Sequence, residues 1–208
     1  MLLSKDVALQ TAAQLLKIKA VKLSPKEPFT WASGILSPIY CDNRITLSFP
    51  EIRTYIRQQF SSAIQTHFED VEAIAGVATG GIAQGALVAQ ELGLPFAYVR
   101  SGKKEHGLAN QIEGRVEEGQ RIVVVEDLIS TGGSSLGAVA ALREAGCHVA
   151  GMVAIFTYNL PVAMQRFEEA ACPLITLSDY DVLIEQALET GYISAEDLTV
   201  LRNFKDQF

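Results

Sequence analysis

Apolar positions change their period several times along the chain. Residues 1–21, MLLSKDVALQTAAQLLKIKAV, carry apolar side chains at helical spacing among polar ones and predict an amphipathic helix. Asp6 within that stretch, with lysines after it, sets it apart from a cleavable leader. Residues 24–44, SPKEPFTWASGILSPIYCDNR, break the periodicity with prolines, glycine and aromatics, so short irregular strands and turns are expected there. From Ser48 to Phe68 helical spacing returns through Phe49, Ile52, Ile56, Phe60 and Ile64.

A regular alternation then begins. EAIAGVA reads as a strand, TGG as a turn and IAQGALVAQELG as a helix closed by glycine. PFAYVR is a strand followed by the polar loop SGKKEHGLANQIEG; RIVVVED is a strand, LISTGGS a turn and SLGAVAALREAG a helix. HVAGMVAIFTY and PVAMQRFEEA repeat the strand-helix pair, and LITLSDY adds a last strand with helices after it. Nearly continuous apolar strands alternating with helices predict an α/β fold with a mostly parallel central sheet covered by helices on both faces. Ligands of such sheets bind beyond the carboxyl ends of the strands, where strand order reverses. Both Gly-Gly turns and the polar loop directly follow strands, so all three can meet on one rim.

Without repeats or a low-complexity linker, the 208 residues, 49% of them hydrophobic, predict a single domain over 1–208. A net charge of −7 argues against general affinity for nucleic acid. No apolar run reaches the roughly 18 residues of a membrane span, so no membrane partner is expected. Cys41, Cys147 and Cys172 lie far apart, and the three histidines complete no ligand set, which fits a reduced, cytoplasmic protein without structural zinc.

The chemistry concentrates in EDLISTGGSS. Ser130, Thr131, Gly132, Gly133, Ser134 and Ser135 lie between a strand and a helix. Glycines let successive N–H groups converge, and a helix N-terminus adds positive potential, so the turn suits a phosphate. Helix capping accounts for one or two hydroxyls, not for several around paired glycines. Glu126 and Asp127 offer carboxylates to sugar hydroxyls or to a metal-bound water. Only one of them faces a site if the strand continues, whereas a turn at Glu126 lets both do so. Thr79, Gly80 and Gly81 offer a second anion site. Arg100, Lys103, Lys104 and His106, between Gly102, Gly107 and Gly114 in an acidic chain, read as a lid carrying cations to a polyphosphate leaving group. Neither turn ends in the Gly-Lys-Ser/Thr of a P-loop, and Gly-x-Gly-x-x-Gly is absent.

IVVVEDLISTGG resembles the phosphoribosyl-diphosphate motif of the type I phosphoribosyltransferases: apolar residues, two acids, then a Thr-Gly-Gly loop. FTWASGILSPIYCDNR resembles the N-terminal hood of the orotate-specific branch of that family, and YVRSGKKEHGLANQIEG its catalytic loop. The resemblance implies the type I phosphoribosyltransferase fold, with a small hood formed mainly by 20–47. It also implies transfer of ribose 5-phosphate from 5-phosphoribosyl 1-diphosphate to orotate. Glu126 and Asp127 would hold the ribose hydroxyls, with Asp127 nearer the reacting carbon. Leu128, Ile129, Ser130, Thr131, Gly132, Gly133 and Ser134 would line the 5′-phosphate site, Ser130 also reaching orotate. Thr79, Gly80, Arg100, Lys104 and His106 would line the diphosphate site. Lys104 and Asp127 would be catalytic, and Lys104 and His106 would act across a homodimer. Mg²⁺ would arrive on substrate oxygens, with no direct side-chain ligand.

The chain departs from some members at Ala32, where they carry lysine, and after IFTYNLP, where they carry arginine, both on orotate. Arg44 and hood N–H groups are candidate replacements. Ser101 also stands where some members have lysine. A purine-specific relative shares the acid and loop motif but would lack the SPIYCDNR hood. A regulatory nucleic-acid-binding relative would need a basic face.

Overall fold

The computed structural model of the chain describes residues 1–30, 34, 36–100 and 111–204. In chain order the elements are α1 (Lys5–Lys17), β1 (Val21–Leu23), β2 (Phe29–Thr30), β3 (Leu36–Ser37), β4 (Ile39–Cys41), a 3-10 turn (Asn43–Ser48), α2 (Pro50–His67) and β5 (Ala73–Val77). Then follow α3 (Gly80–Leu92), β6 (Phe96–Val99), β7 (Ile112–Glu113), β8 (Arg121–Ile129), α4 (Gly133–Glu144) and β9 (His148–Thr157). Last come α5 (Pro161–Glu169), β10 (Leu174–Asp179), α6 (Tyr180–Glu189) and α7 (Ala195–Phe204).

Six strands form one sheet in the order β10-β9-β8-β5-β6-β7, parallel except for the short antiparallel edge strand β7. Strands buried from both sides carry apolar residues in succession rather than at alternate positions, as β5 does throughout and β8 does from Ile122 to Val125. The mostly parallel α/β sheet read from the sequence is therefore the observed one. Two differences, besides the run of β8 on to Ile129, are local. The sequence assigns Ile112 and Glu113 to a loop, yet they pair with Val99 and Tyr98, because extended main chain beside an open sheet edge finds partners there. Helix α3 also starts at Gly80, two residues earlier than its apolar pattern.

Crossover handedness fixes the site. Connection β5-α3-β6 runs toward one edge of the sheet and β8-α4-β9 toward the other. Right-handed crossovers of opposite direction put α3 and α4 on opposite faces. The order reverses between β5 and β8, and the crevice opens at their carboxyl ends. Segment 21–41 forms two antiparallel pairs, β1 with β4 and β2 with β3. The 3-10 turn after them contacts both β8 and α3.

Candidate active site

Strand β8 continues straight through both acids to Ile129, with Glu126 paired to Ala154 and Leu128 to Phe156. The turn at Glu126 considered from the sequence does not occur, so the two side chains leave opposite faces of the sheet. Glu126 is buried on the α4 side, where Ser135 Oγ donates to its Oε2 at 2.8 Å. The Asp127 N–H donates to its Oε1 at 3.0 Å. Burial first, and then the Asp127 carboxylate, push the Glu126 carboxyl up to about 8. Asp127 is half-buried and turns toward α3.

Gly80 explains why the second turn reaches Asp127. A Cβ on Gly80 would lie 2.2–2.3 Å from the Asp127 carboxylate atoms, and one on Gly81 2.3 Å from the Val125 carbonyl oxygen. Only residues without side chains let α3 begin this close to β8. The Ala78–Thr79 peptide that leads into the helix is cis.

Helices α3 and α4 both open on this rim without a side-chain cap: Thr79 and Gly132 are their N-cap residues, and neither receives a capping hydrogen bond. Helices α1 and α6 are capped conventionally, Ser4 accepting from the Val7 N–H and Asp179 from the Val182 N–H. Helices α2 and α5 also lack a side-chain cap but begin with a proline, which has no N–H to satisfy. The first N–H groups of a helix carry no intrahelical partner and sit at its positive end. The two uncapped starts on this rim, α3 against Asp127 and α4 after the end of β8, have the character that suits anions. The hydroxyls of the second turn, which sequence alone allows as a capping cluster, do not cap α4; Ser135 serves Glu126 instead.

Among the expected site residues, Thr79, Gly80, Glu126, Asp127, Leu128, Ile129, Ser130, Thr131, Gly132, Gly133 and Ser134 lie in these turns and at the end of β8. Arg100, just past β6, is exposed and pairs with Glu113 at 3.0 Å. Lys104 and His106 lie outside the described residues, as do Lys103, Ser101 and Ala32. Arg44 is held by Asp42, Nε to Oδ1 at 2.7 Å and Nη2 to Oδ2 at 3.0 Å, so only its outer N–H groups remain for a carboxylate. Among the described residues, no group of three or more His, Cys, Asp or Glu side chains could hold a metal, and no helix is long and apolar enough to cross a membrane.

Two contacts escape a reading of the sequence. Arg166 Nη1, on α5, donates to the Thr131 carbonyl at 3.0 Å and props the second turn from outside. Asn43 Nδ2 donates to the Asp127 carbonyl at 2.6 Å. No periodicity marks either residue.

A strand-end acid against the start of α3, on the rim where α4 also starts, at the switch point of a parallel sheet, is the arrangement of a protein suited to a phosphorylated ligand. Residues 45–181 match the model of the phosphoribosyl transferase domain, and the chain belongs to the phosphoribosyltransferase family, with its type I fold. Within that family it stands among the orotate phosphoribosyltransferases. The enzyme of that name from Porphyromonas gingivalis is 59% identical over 93% of this chain and 92% of its own length. The one from Streptococcus mutans is 58% identical over 99% and 97%. A crystal structure of orotate phosphoribosyltransferase from Aeropyrum pernix matches with a TM-score of 0.77 at 27% identity, covering 88% of this chain and 99% of the other.

Proposed function

We propose that this chain is an orotate phosphoribosyltransferase, forming orotidine 5′-monophosphate and diphosphate from orotate and 5-phosphoribosyl 1-diphosphate in UMP biosynthesis. The observation that carries the reading is the packing of the Asp127 carboxylate against the start of α3, at the end of the strand whose loop leads into α4. Near-full-length identity to enzymes of that name supports orotate as the acceptor.

In this reading Ser130 to Ser134 take the 5′-phosphate, through amides of the α4 start and through hydroxyls. Thr79 and Gly80 take the diphosphate. Asp127 accepts hydrogen bonds from the ribose hydroxyls. Glu126, expected from the motif to share that role, is buried on the α4 side with its oxygens on the Asp127 N–H and Ser135, and supports the strand end from behind. Leu128 and Ile129 carry the strand into the loop. The bond from the ribose carbon to the diphosphate oxygen breaks with its electron pair going to diphosphate, and a bond from that carbon to the orotate ring nitrogen forms. Positive charge grows on the ribose in between, as in glycoside cleavage, and anionic Asp127 stabilises it. The orotate ring nitrogen gives up its proton as the new bond forms, and the departing diphosphate or water takes that proton, so no side-chain base is required. Ser130 reaches the pyrimidine, and segment 20–47 acts as the hood over it.

Arg100, Lys104 and His106 serve the diphosphate, Arg100 by exchanging Glu113 for phosphate oxygens. Lys104 and His106 come from the neighbouring subunit of a homodimer working in the cytoplasm, and the loop that bears them excludes water. Mg²⁺ fits the donor at the α3 start, where the half-buried Asp127 carboxylate offers hard oxygens of the kind this ion takes through water. The ion would be held by substrate oxygens and water beside Asp127, and when bound it would neutralise charge on the leaving diphosphate.

The test is diphosphate release with orotate, adenine and hypoxanthine in turn. Product from orotate alone is expected; product from a purine but not from orotate overturns the assignment. Mixing Lys104→Ala with Asp127→Asn subunits should restore activity if the loop serves its neighbour.

A further inference from the structure

We infer that Asn43 is a positioning residue for Asp127, fixing the main chain of the acid from the hood side. The inference rests on the reading of Asp127 as the acid beside the reacting carbon.

Strand geometry creates the need. The last pairing of β8 with β5 is Val125 with Gly76, and β5 ends at Val77 as the chain turns into α3. Asp127 lies two residues beyond that pairing, so its N–H and C=O point to the side of the sheet where the neighbouring strand has run out. A part-buried main chain does not leave such groups unpaired. The N–H goes to Glu126 Oε1, and the carbonyl accepts the 2.6 Å bond from Asn43. Asn43 thus stands where a strand partner would.

The amide is itself held. Asn43 is 1% exposed. Its Oδ1 accepts from the Cys41 thiol at 3.3 Å, and its own main-chain carbonyl accepts from Thr46 Oγ1 at 2.6 Å. Burial, with the Asp127 and Asp42 charges, pushes the Cys41 thiol well up and keeps it a donor. A thiol donor at one end and a carbonyl acceptor at the other leave a single orientation for the carboxamide, with its N–H₂ on Asp127. The bond ties residues 84 positions apart in sequence, the segment over the acceptor and the acid at the ribose. Displacement of a reacting group by about 1 Å can cost on the order of a hundredfold in rate, so a tie of this kind acts on turnover.

The experiment measures kcat and both KM values for Asn43→Ala, Asn43→Asp and Asp127→Asn, with thermal melts alongside. Asn43→Ala should lower kcat about tenfold to a hundredfold with both KM values within about threefold. Asn43→Asp keeps size and shape, but its ionised carboxylate only accepts hydrogen bonds and cannot donate to the Asp127 carbonyl, so kcat should fall at least as far as in Asn43→Ala. A folded Asn43→Ala or a folded Asn43→Asp with native kcat overturns the inference. If Asn43→Ala does not fold, Asn43→Asp decides alone. Full activity in Asp127→Asn would instead overturn the reading of the site, whereas an inactive Asp127→Asn beside a fully active Asn43→Ala overturns only this inference.

Discussion

Thr79-Gly80-Gly81 and Thr131-Gly132-Gly133 carry the same three residue types, each after a buried strand and before a helix on the same rim. Their glycines answer to different constraints. In the first turn neither glycine has a positive φ, and both are needed because β8 leaves no room for a Cβ, with Val125 and Asp127 atoms 2.2–2.3 Å from where one would be. In the second, Gly132 sits at φ +78, a left-handed conformation, and Gly133 has nothing nearer than Arg166 Nη1 at 3.9 Å. The first turn is packed tightly and the second is bent. A motif match alone does not distinguish the two, and the difference can be tested one methyl group at a time.

Gly81→Ala should have the largest effect. Its new Cβ meets a main-chain oxygen, which cannot swing aside, so α3 must move off β8. Overpacking of this kind costs about 3 kcal/mol, read as a lower urea midpoint at unchanged slope. A cost below about 0.5 kcal/mol would mean that α3 and β8 are not in such close contact.

Gly80→Ala meets a side chain instead, the Asp127 carboxylate. Asp127 can rotate away, so stability should fall by less than about 1 kcal/mol while turnover falls about a hundredfold, equivalent to about 2.7 kcal/mol. Stability loss as large as that of Gly81→Ala would erase the distinction between the two positions.

The acids divide along the same line, Asp127 toward the first turn and Glu126 toward the helix that follows the second. With its carboxyl at about 8 when folded and near 4.5 when unfolded, Glu126 keeps a proton in the native state that the unfolded chain releases between those values. Its contribution to stability is therefore lost as pH rises from about 4.5 to about 8, on the order of 1 kcal/mol per pH unit at most. Glu126→Gln removes the charge and should flatten that slope, so denaturation midpoints compared at pH 5 and pH 8 should diverge in the variant's favour at pH 8. Parallel profiles would show that Glu126 is already ionised in the fold.

The alternation of buried strands and helices made the sheet legible, because strands covered on both faces carry apolar residues in succession, as Ile122 to Val125 do. The rim was legible for the same reason: polar and glycine residues just after such strands have few structural uses. What stayed hidden depends on distance in space. The opposite facing of Glu126 and Asp127 required knowing that β8 runs on to Ile129. The roles of Asn43 and Arg166 required knowing where β5 stops and where α5 lands, and CDNR and AMQRFEE contain nothing that records either.

The second turn yields the smallest expected changes. Gly132→Ala forces an L side chain into the left-handed region and brings its Cβ within 3.0 Å of the Phe167 ring edge, so a loss of about 1–2 kcal/mol is expected. Gly133→Ala should alter stability by no more than about 0.5 kcal/mol, since its Cβ would meet only Arg166 Nη1 at 3.9 Å, an ordinary contact. That freedom is informative, because a position that the folded chain does not require to be glycine has only the ligand left to require it. If the 5′-phosphate seats against the main chain there, Gly133→Ala should raise KM for 5-phosphoribosyl 1-diphosphate about tenfold, with the melting temperature unchanged and KM for orotate little affected. An unchanged KM would move the phosphate away from the α4 start and toward the hydroxyls of Ser130 and Thr131.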